Sequence, residues 1–227
     1  MAYYVLADIH GEAERFHAML DKIQFSDTDI LYILGDVVDR GPDGIKLLRE
    51  IMNVPNMVML LGNHEYMMEQ YFSPNATEVE IRRWNRNGNA PTVEAYLQLS
   101  TEEQREIISF LQTRPSHLEV TVGGQRFYLV HAFPGENVHD EVWFRPEIGA
   151  PNPMPGYRVI IGHTKVLSLI KPEEKRAAFT AELENRGEHL KIYHGPGFID
   201  IDCGCGYDLP IKAMACLRLD DMAEYYV

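Results

Sequence analysis

At the start of the chain, hydrophobic positions come alternately in short continuous runs and in helical repeats. The runs at 3–7, 30–34 and 57–61 are typical of buried strands. Residues 12–25 and 43–52, between these runs, place apolar side chains three and four positions apart, as amphipathic helices do. The order strand, helix, strand, helix, strand predicts an α/β fold that begins with parallel strands.

The stretch 66–115 has a different pattern and is predicted to be helical. Its helices are expected at 66–72, 77–86, 91–98 and 101–112. Ser100 or Thr101 opens the last of them, with Glu103 in the spacing of a capping box. We interpret this stretch as a helical cap that is inserted after the third strand of a single domain spanning residues 1–227.

From residue 117 onward, the apolar side chains recur at every second position. Residues 118–122 and 126–130 flank Gly123-Gly124, which is the pattern of a β-hairpin. A loop rich in proline and glycine is expected at 134–156. Further strands are expected at 158–161, 189–193, 198–202 and 211–219. The second half of the chain is therefore predicted to be rich in strands.

The composition is that of an ordinary soluble globule, with 45% hydrophobic and 24% charged residues in a chain of 227. The net charge of −13 argues against a nucleic-acid polymer as partner, because such binders carry a basic patch. No apolar run approaches the length of a membrane span, and the first residues lack the basic and apolar segments of a signal peptide. We therefore expect no membrane contact and a cytoplasmic location.

The chain has three cysteines, Cys203, Cys205 and Cys216. An odd number without a disulfide framework suits a reducing compartment. Cys203 and Cys205 are close enough in sequence to suggest a site for a soft metal ion, but no second cysteine pair is present to complete it.

Five apolar runs end in residue types that can bind a metal ion. These residues are Asp8, His10, Asp36, Asn63, His64, His131 and His163. A histidine after a strand is commonly a turn residue, and Asp or Asn before a helix is commonly an N-cap. When five strand ends all carry such residues, a shared cation is the better interpretation, because unpaired polar groups next to a core are costly. An α/β sheet gathers such loops at one edge.

The ligand types indicate which cations fit these residues. Carboxylate, imidazole and amide oxygen without thiolate suit Mn²⁺, Fe²⁺ or Zn²⁺. The set is too large for one tetrahedral centre and is sufficient for two ions if Asp36, on the middle motif, bridges them. Two such ions can stabilise the attacking and leaving oxygens of a displacement at phosphorus and lower the pKa of a bound water to roughly 7.

Five motifs in this order resemble the phosphoprotein phosphatase family of binuclear metallophosphoesterases. They are Asp8-Ile9-His10-Gly11, Gly35-Asp36-Val37-Val38-Asp39-Arg40-Gly41, Gly62-Asn63-His64-Glu65, His131-Ala132 and Gly162-His163-Thr164. The resemblance covers about residues 3–204 and extends, at 84–88 and 142–145, to the small lambda-type bacterial and phage phosphatases and the related symmetrical diadenosine tetraphosphate hydrolases. It implies a four-layer α/β/β/α sandwich with two mixed sheets and the helical cap.

Carried over to this sequence, the resemblance implies roles for individual residues. Asp8, His10 and Asp36 would hold one ion, and Asp36, Asn63, His131 and His163 would hold the other. His64 would protonate the leaving oxygen, with Asp39 orienting its ring. Arg40 and Arg145 would bind phosphoryl oxygens. Pro146 departs from the lambda-type pattern, so the alternative is that Arg145 is a solvated loop residue without a role in binding. Mn²⁺ is the expected ion, with Fe²⁺ and Zn²⁺ as alternatives.

The remaining histidines and the late Asp202-Cys203-Gly204 segment are given structural roles. His17, His117, His139 and His189 are expected at the surface, whereas His194 is nearer the active face that the resemblance implies. Asp202 is interpreted as part of a turn that shapes the pocket.

The expected activity is hydrolysis of phosphate monoesters by a metal-bound hydroxide. The expected enzyme is a serine/threonine protein phosphatase, acting on a phosphorylated protein or peptide or on a small phosphoester. A symmetrical bis(5'-nucleosyl)-tetraphosphatase, acting on a dinucleoside polyphosphate, is the alternative, and Arg82, Arg83 and Arg86 are compatible with it. A metal-binding interaction module that has lost catalysis is the alternative of another class. The sequence does not indicate an oligomeric state.

Overall fold

The computed structural model describes residues 1–227 as two five-stranded sheets with nine helices. The strands are β1 (Tyr3–Leu6), β2 (Ile30–Ile33), β3 (Met57–Met59), β4 (His117–Val122), β5 (Gln125–Val130), β6 (Arg158–Ile161), β7 (Tyr193–His194), β8 (Ile199–Asp200), β9 (Ala215–Arg218) and β10 (Glu224–Tyr226). The helices are α1 (Ala13–Ile23), α2 (Gly44–Met52), α3 (Asn63–Tyr71), α4 (Glu78–Asn85), α5 (Ala90–Leu97), α6 (Thr101–Gln112), α7 (Val138–Trp143), α8 (Val166–Leu169) and α9 (Glu174–Asn185). The strand orders are β10-β9-β1-β2-β3 and β4-β5-β6-β8-β7.

The first sheet contains the predicted β-α-β-α-β unit. Strands β1 and β2 are parallel with Tyr3 opposite Ile30, and β2 and β3 are parallel with Leu31 opposite Met57. Because consecutive parallel strands all point the same way, the loops after β1, β2 and β3 lie at one edge of the sheet. Strands β9 and β10 extend the sheet antiparallel on the other side of β1.

Alternate side chains of each central strand enter different hydrophobic layers. In β1, Leu6 packs towards helices α1 and α2, whereas Val5 packs between the two sheets. In β5, Leu129 faces the first sheet and Tyr128 belongs to a third cluster on the outer face of the second sheet. This alternation explains the continuous apolar runs, since both faces of each strand are buried. The prediction of a mixed α/β fold with two mixed sheets and helices is confirmed.

The helical block at 63–112 has the capping box that the sequence indicated. Ser100 Oγ accepts the N–H of Glu103, and the Glu103 carboxylate accepts the N–H of Ser100. Helix α4 begins in the same way, with Thr77 and Glu80. The assignment of 66–115 as a cap within a single domain stays a prediction.

The second half of the chain differs from its prediction in several elements. The expected loop at 134–156 contains α7, and helices α8 and α9 occupy a stretch for which no element was predicted. The predicted strand at 189–193 is wrong, because only its last residue enters β7, and β10 was not anticipated. Helix α7 is six residues long, and its N-cap is Asn137, whose side chain accepts the N–H of Asp140. A helix of that length is too short to show a helical repeat.

None of the nine helices combines the length and the apolar character that crossing a membrane requires. The three cysteines are buried and unpaired. Cys203 packs between the two sheets, whereas Cys205 packs in the core that faces α1 and α2. The two thiols therefore enter different cores instead of forming a ligand pair.

Candidate metal centre and active site

Backbone strain is concentrated in the loops that follow β1, β2 and β6. Eight non-glycine residues have positive φ, and six of them are candidate site residues: Asp8, His10, Asp36, Asp39, Arg40 and His163, with φ between 47° and 72°. Such a conformation costs about 1 kcal/mol or more for each residue, so neighbouring contacts must maintain it. The clustering of this strain on the candidates supports a functional role for the loops.

Glu65 maintains the loop that follows β2. Its buried carboxylate accepts the N–H groups of Asp36 and Val37, each at 2.8 Å, and those of Val38 and Gly62, each at 3.2 Å. No role for Glu65 was predicted from the sequence. A signal was nevertheless present, because Glu65 lies in the first turn of a helix beside two buried strands. A carboxylate in such a place needs hydrogen-bond donors to offset the cost of its burial.

Asp36 lies at the centre of the candidate site and is 2% exposed. Its Oδ2 is 3.6 Å from His10 Nε2 and 3.8 Å from His64 Nε2. Its Oδ1 is 3.3 Å from His131 Nε2 and accepts the backbone N–H of His64 at 3.0 Å. The two oxygens of one carboxylate thus face different imidazoles, as a bridging ligand would.

Asn63 and Asp8 complete the cluster from either side. Asn63 Oδ1 is 2.8 Å from His163 Nδ1 and 3.0 Å from His131 Nε2. Asp8 accepts the N–H of His163 through Oδ2 at 2.9 Å, and its Oδ1 is 4.0 Å from His10 Nε2. The structure therefore brings all six predicted metal ligands together.

Backbone carbonyl groups set the orientation of two of the imidazoles. His10 Nδ1 lies 2.9 Å from the carbonyl oxygen of Val38, and His131 Nδ1 lies 2.7 Å from that of Leu34. Each contact favours the tautomer with the proton on Nδ1 and leaves the Nε2 lone pair facing the cluster. A second hydrogen bond of this kind is usual for metal-ligating histidines.

The electrostatics of the cluster fit divalent cations. Burial lowers the pKa of His10, His64, His131 and His163, that of His131 to about 3, so the imidazoles carry free lone pairs. Burial and neighbouring carboxylates raise the pKa of Asp8 and Asp36. Cations would stabilise the ionised carboxylates, and Mn²⁺, Fe²⁺ and Zn²⁺ accept these ligand types.

Two groups of ligand atoms have the spacing of metal sites. The first group is His10, Asp36 and His64, and the second is Asp36, His131 and His163. Within each group, the potential ligand atoms lie within 4.8 Å of one another. Asp36 belongs to both, which matches the predicted bridge. The first group contains His64, for which the family resemblance implies the role of an acid.

His64 and Asp39 form a buried pair next to the cluster. His64 Nδ1 is 2.6 Å from Asp39 Oδ2, and Trp84 Nε1 donates to the same oxygen at 2.6 Å. Thr92 Oγ1 accepts the backbone N–H of Asp39 at 2.8 Å. Burial raises the pKa of Asp39 to about 7. Trp84 and Thr92 lie on α4 and α5, so the helical block positions Asp39, a role that the sequence analysis did not assign to either residue.

The two predicted phosphate-binding arginines differ in their surroundings. Arg40 is half-buried, and its guanidinium nitrogens lie 2.7 Å from His10 Nε2 and 3.1 Å from His64 Nε2. His10 Nε2 cannot accept from Arg40 and ligate an ion at once, so metal binding requires this hydrogen bond to break. Arg145 is exposed and donates to the carbonyl oxygen of His163 at 3.4 Å, which places it at the edge of the cluster.

Comparison with known proteins agrees with this geometry. Residues 1–188 match the family described as calcineurin-like phosphoesterase. The chain is 28% identical over 166 residues to the symmetrical bis(5'-nucleosyl)-tetraphosphatase of Wigglesworthia glossinidia brevipalpis, covering 63% of this chain and 61% of the relative. It is 30% identical over 137 residues to serine/threonine-protein phosphatase 2 of Escherichia coli (strain K12), covering 58% and 59%. The chain thus spans about 60% of the length of these relatives.

Solved structures share the fold at low sequence identity. A metallophosphoesterase from Sphaerobacter thermophilus has a TM-score of 0.59 at 17% identity, covering 100% of this chain and 88% of that chain. A serine/threonine phosphatase from Saccharomyces cerevisiae has a TM-score of 0.62 at 11% identity, covering 97% and 73%. The family match extends over most of the sequence and includes all five motifs. The chain therefore belongs to the calcineurin-like phosphoesterase family.

Proposed function

We propose that this chain hydrolyses phosphoric esters with two divalent ions held by Asp8, His10, Asp36, Asn63, His131 and His163. The observation that carries the proposal is the position of Asp36, whose two oxygens face different imidazoles within 4 Å. When bound, such ions neutralise phosphoryl charge and supply a nucleophile at neutral pH by lowering the pKa of a water. Mn²⁺ is the ion we expect, with Fe²⁺ and Zn²⁺ as alternatives.

Arg40 and Arg145 would bind the phosphoryl group. A guanidinium presents donors in a planar fork that matches two phosphoryl oxygens. The backbone of Arg40 is held in place because its N–H donates to the carbonyl oxygen of Gly88 at 2.9 Å. Its side chain is thereby directed at the cluster from the helical side, whereas Arg145 approaches from the loop after α7.

His64 would donate a proton to the leaving oxygen. Its Nδ1 is engaged by Asp39, so Nε2 is the nitrogen that faces a substrate. Burial and the nearby Arg40 lower the pKa of His64, which opposes this role in the free protein. The negative charge of a bound phosphoryl group favours the imidazolium, and Asp39 stabilises it from the other side.

A phosphoserine or phosphothreonine side chain is the first candidate substrate. Its leaving alkoxide is strongly basic and needs the proton that His64 is placed to supply. The name of the Escherichia coli relative supports the same choice.

A dinucleoside polyphosphate is the second candidate, and a basic cleft favours it. The cleft has a volume of about 420 Å³ and is lined by Val79, Arg82, Arg83, Arg86 and Asn87. The guanidinium of Arg83 lies 5.7 Å from the ring of Trp143, and that ring packs edge-on against His163 with the centroids 6.1 Å apart. Basic and aromatic groups therefore adjoin the cluster on this side.

Two variants test the proposed function. Asp36→Asn removes the bridging charge, and we expect loss of bound metal and of Mn²⁺-dependent hydrolysis. His64→Ala is expected to retain its metal content and to slow turnover roughly 10²- to 10⁴-fold on a phosphoserine peptide. The loss on p-nitrophenyl phosphate is expected to be smaller, because its leaving group is a weak base that departs without a proton.

Metal content and hydrolysis would be measured with metal-stripped and with Mn²⁺-loaded protein. Full activity of His64→Ala on the phosphoserine peptide would reject His64 as the acid. If the unaltered protein binds two ions and hydrolyses no phosphoester, the interaction module becomes the better interpretation.

A further inference from the structure

Lys165 is a cation beside the metal centre that has no role in the proposed reaction. It follows directly on the Gly162-His163-Thr164 motif and is half-buried. Its Nζ lies 3.4 Å from the centroid of the Tyr207 ring, and it makes no ion pair or hydrogen bond with another side chain. Its N–H donors thus lack an anionic partner within the protein.

Tyr207 links Lys165 to the predicted phosphate-binding Arg40. The guanidinium carbon of Arg40 lies 4.1 Å from the centroid of the same ring. The ammonium and the guanidinium carbon are therefore at most about 7.5 Å apart, which is the sum of their distances to the shared centroid. Cation–π contacts of this kind hold both cations against one ring.

The ring itself is fixed against a predicted metal ligand. A Cβ on Gly206, next to Tyr207, would lie 2.3 Å from His10 Cδ2, so only glycine allows the backbone to approach this closely. The rings of Tyr207 and His10 have centroids 6.4 Å apart. Tyr207 therefore lies next to His10, and Lys165 packs on its ring.

Lys165 and Arg40 both pack on the Tyr207 ring, so an anion with two adjoining charged groups can contact both cations. Arg40 is proposed above to bind the phosphoryl group that is hydrolysed. A carboxylate is present nearby in Asp202, but Asp202 is 1% exposed and lies outside ion-pair distance of the ammonium. A second phosphate joined to the first is an anion of the right size and charge, because lysine binds phosphate as a compact point charge.

We propose that Lys165, positioned by Tyr207, binds the phosphate adjacent to the one being hydrolysed and thereby favours substrates with adjoining phosphates. This inference rests on the proposed function and selects the polyphosphate class within it. A phosphoserine peptide has no group at this position, so Lys165 contributes selectivity between the two candidate substrates.

Binding of unreactive analogues tests the inference independently of hydrolysis. Methylenediphosphonate has two joined phosphonates and methylphosphonate has one, and both would be titrated calorimetrically into Mn²⁺-loaded protein. Lys165→Ala is expected to weaken methylenediphosphonate binding roughly tenfold to a hundredfold more than methylphosphonate binding, which is the effect of one charge-assisted hydrogen bond. Lys165→Arg is expected to restore most of the difference.

The matched control is Lys191, which lies over the ring of Tyr226, 4.3 Å from its centroid, and is exposed away from the cluster. Lys191→Ala is expected to bind both phosphonates as the unaltered protein does. Melting temperatures of all variants would show whether folding is retained.

Hydrolysis supplies a second readout with the same variants. Lys165→Ala is expected to lose at least roughly ten times more kcat/KM on diadenosine tetraphosphate than on p-nitrophenyl phosphate. An equal loss on both substrates, or an equal loss of affinity for both phosphonates, overturns the inference. An absence of hydrolysis by the unaltered protein would overturn the proposed function while leaving the phosphonate comparison decisive for Lys165.

Discussion

Two buried glutamates hold the two sides of the candidate site in different ways. Glu65, at the start of α3, accepts four backbone N–H groups around Asp36. Glu141, on α7, lies 2.7 Å from the hydroxyl of Tyr128 and 2.9 Å from His117 Nδ1, and it also accepts the hydroxyl of Ser116. The first glutamate supports strained backbone next to the metal ligands, whereas the second joins side chains at the end of the β4–β5 hairpin.

Two histidine–carboxylate pairs with similar geometry also differ in their surroundings. His64 and Asp39 lie 2.6 Å apart and are at most 1% exposed, with Asp36 beside them. His117 and Glu141 lie 2.9 Å apart, but the imidazole is 42% exposed. A histidine–carboxylate contact alone therefore does not identify an acid catalyst. The predicted metal ligands next to His64 make the difference.

Glu65→Ala is expected to have the largest effect. Four backbone donors would lose their acceptor, and each buried unsatisfied donor costs about 1–3 kcal/mol, so the free energy of unfolding should fall by about 4 kcal/mol or more. Metal content should fall as well, because the left-handed loop around Asp36 loses its support. Chemical denaturation and metal analysis measure both effects. Glu69→Ala, one turn further along α3, is the control, and a similar loss there would show that the helix is generally sensitive.

Glu141→Ala is expected to have a smaller effect that is confined to stability. The buried hydroxyl of Tyr128 loses its acceptor, while water can reach the partly exposed Ser116 and His117, so we expect a loss of about 1–3 kcal/mol. Metal content should stay close to that of the unaltered protein. A loss of metal as large as that of Glu65→Ala would contradict the distinction between the two glutamates.

His117→Ala is expected to have the smallest effect, at most about 1 kcal/mol, because its contact with Glu141 is partly solvated. Hydrolysis of a phosphoserine peptide should continue at nearly the original rate, in contrast to the loss expected for His64→Ala. Both variants would be assayed on the same phosphoserine peptide. A rate loss in His117→Ala comparable with that in His64→Ala would remove the distinction.

The first half of the fold was predictable because its signals are local. Buried strands at Tyr3–Leu6 and Ile30–Ile33 have continuous apolar runs, and α6 begins with its capping box. Helix α9 gave no comparable signal, since only Phe179 and Leu183 pack against the core. The pairing of β10 with β9 depends on contacts across the sheet, and three residues hold too little pattern to predict it.

The candidate site shows the same division between ligands and supporting residues. Each predicted ligand directly follows an apolar run, and the structure brings all six together. Trp84, Thr92 and Tyr207 could not be assigned in the same way, because their partners lie far away in the sequence. A side chain that contacts a residue on another helix or strand leaves no recognisable spacing in the sequence.

The chemical inventory of this protein can be read from its amino-acid sequence alone: the residue types that can bind cations, their order, and the strands that present them. This is possible because strand ends and their loops are set by neighbouring residues. Three relations are visible only in the folded molecule: Asp36 faces imidazoles from both sheets, Glu65 supports the strained loop, and Lys165 and Arg40 share the ring of Tyr207. Those relations depend on how the sheets and helices pack, and packing joins residues that no local pattern connects.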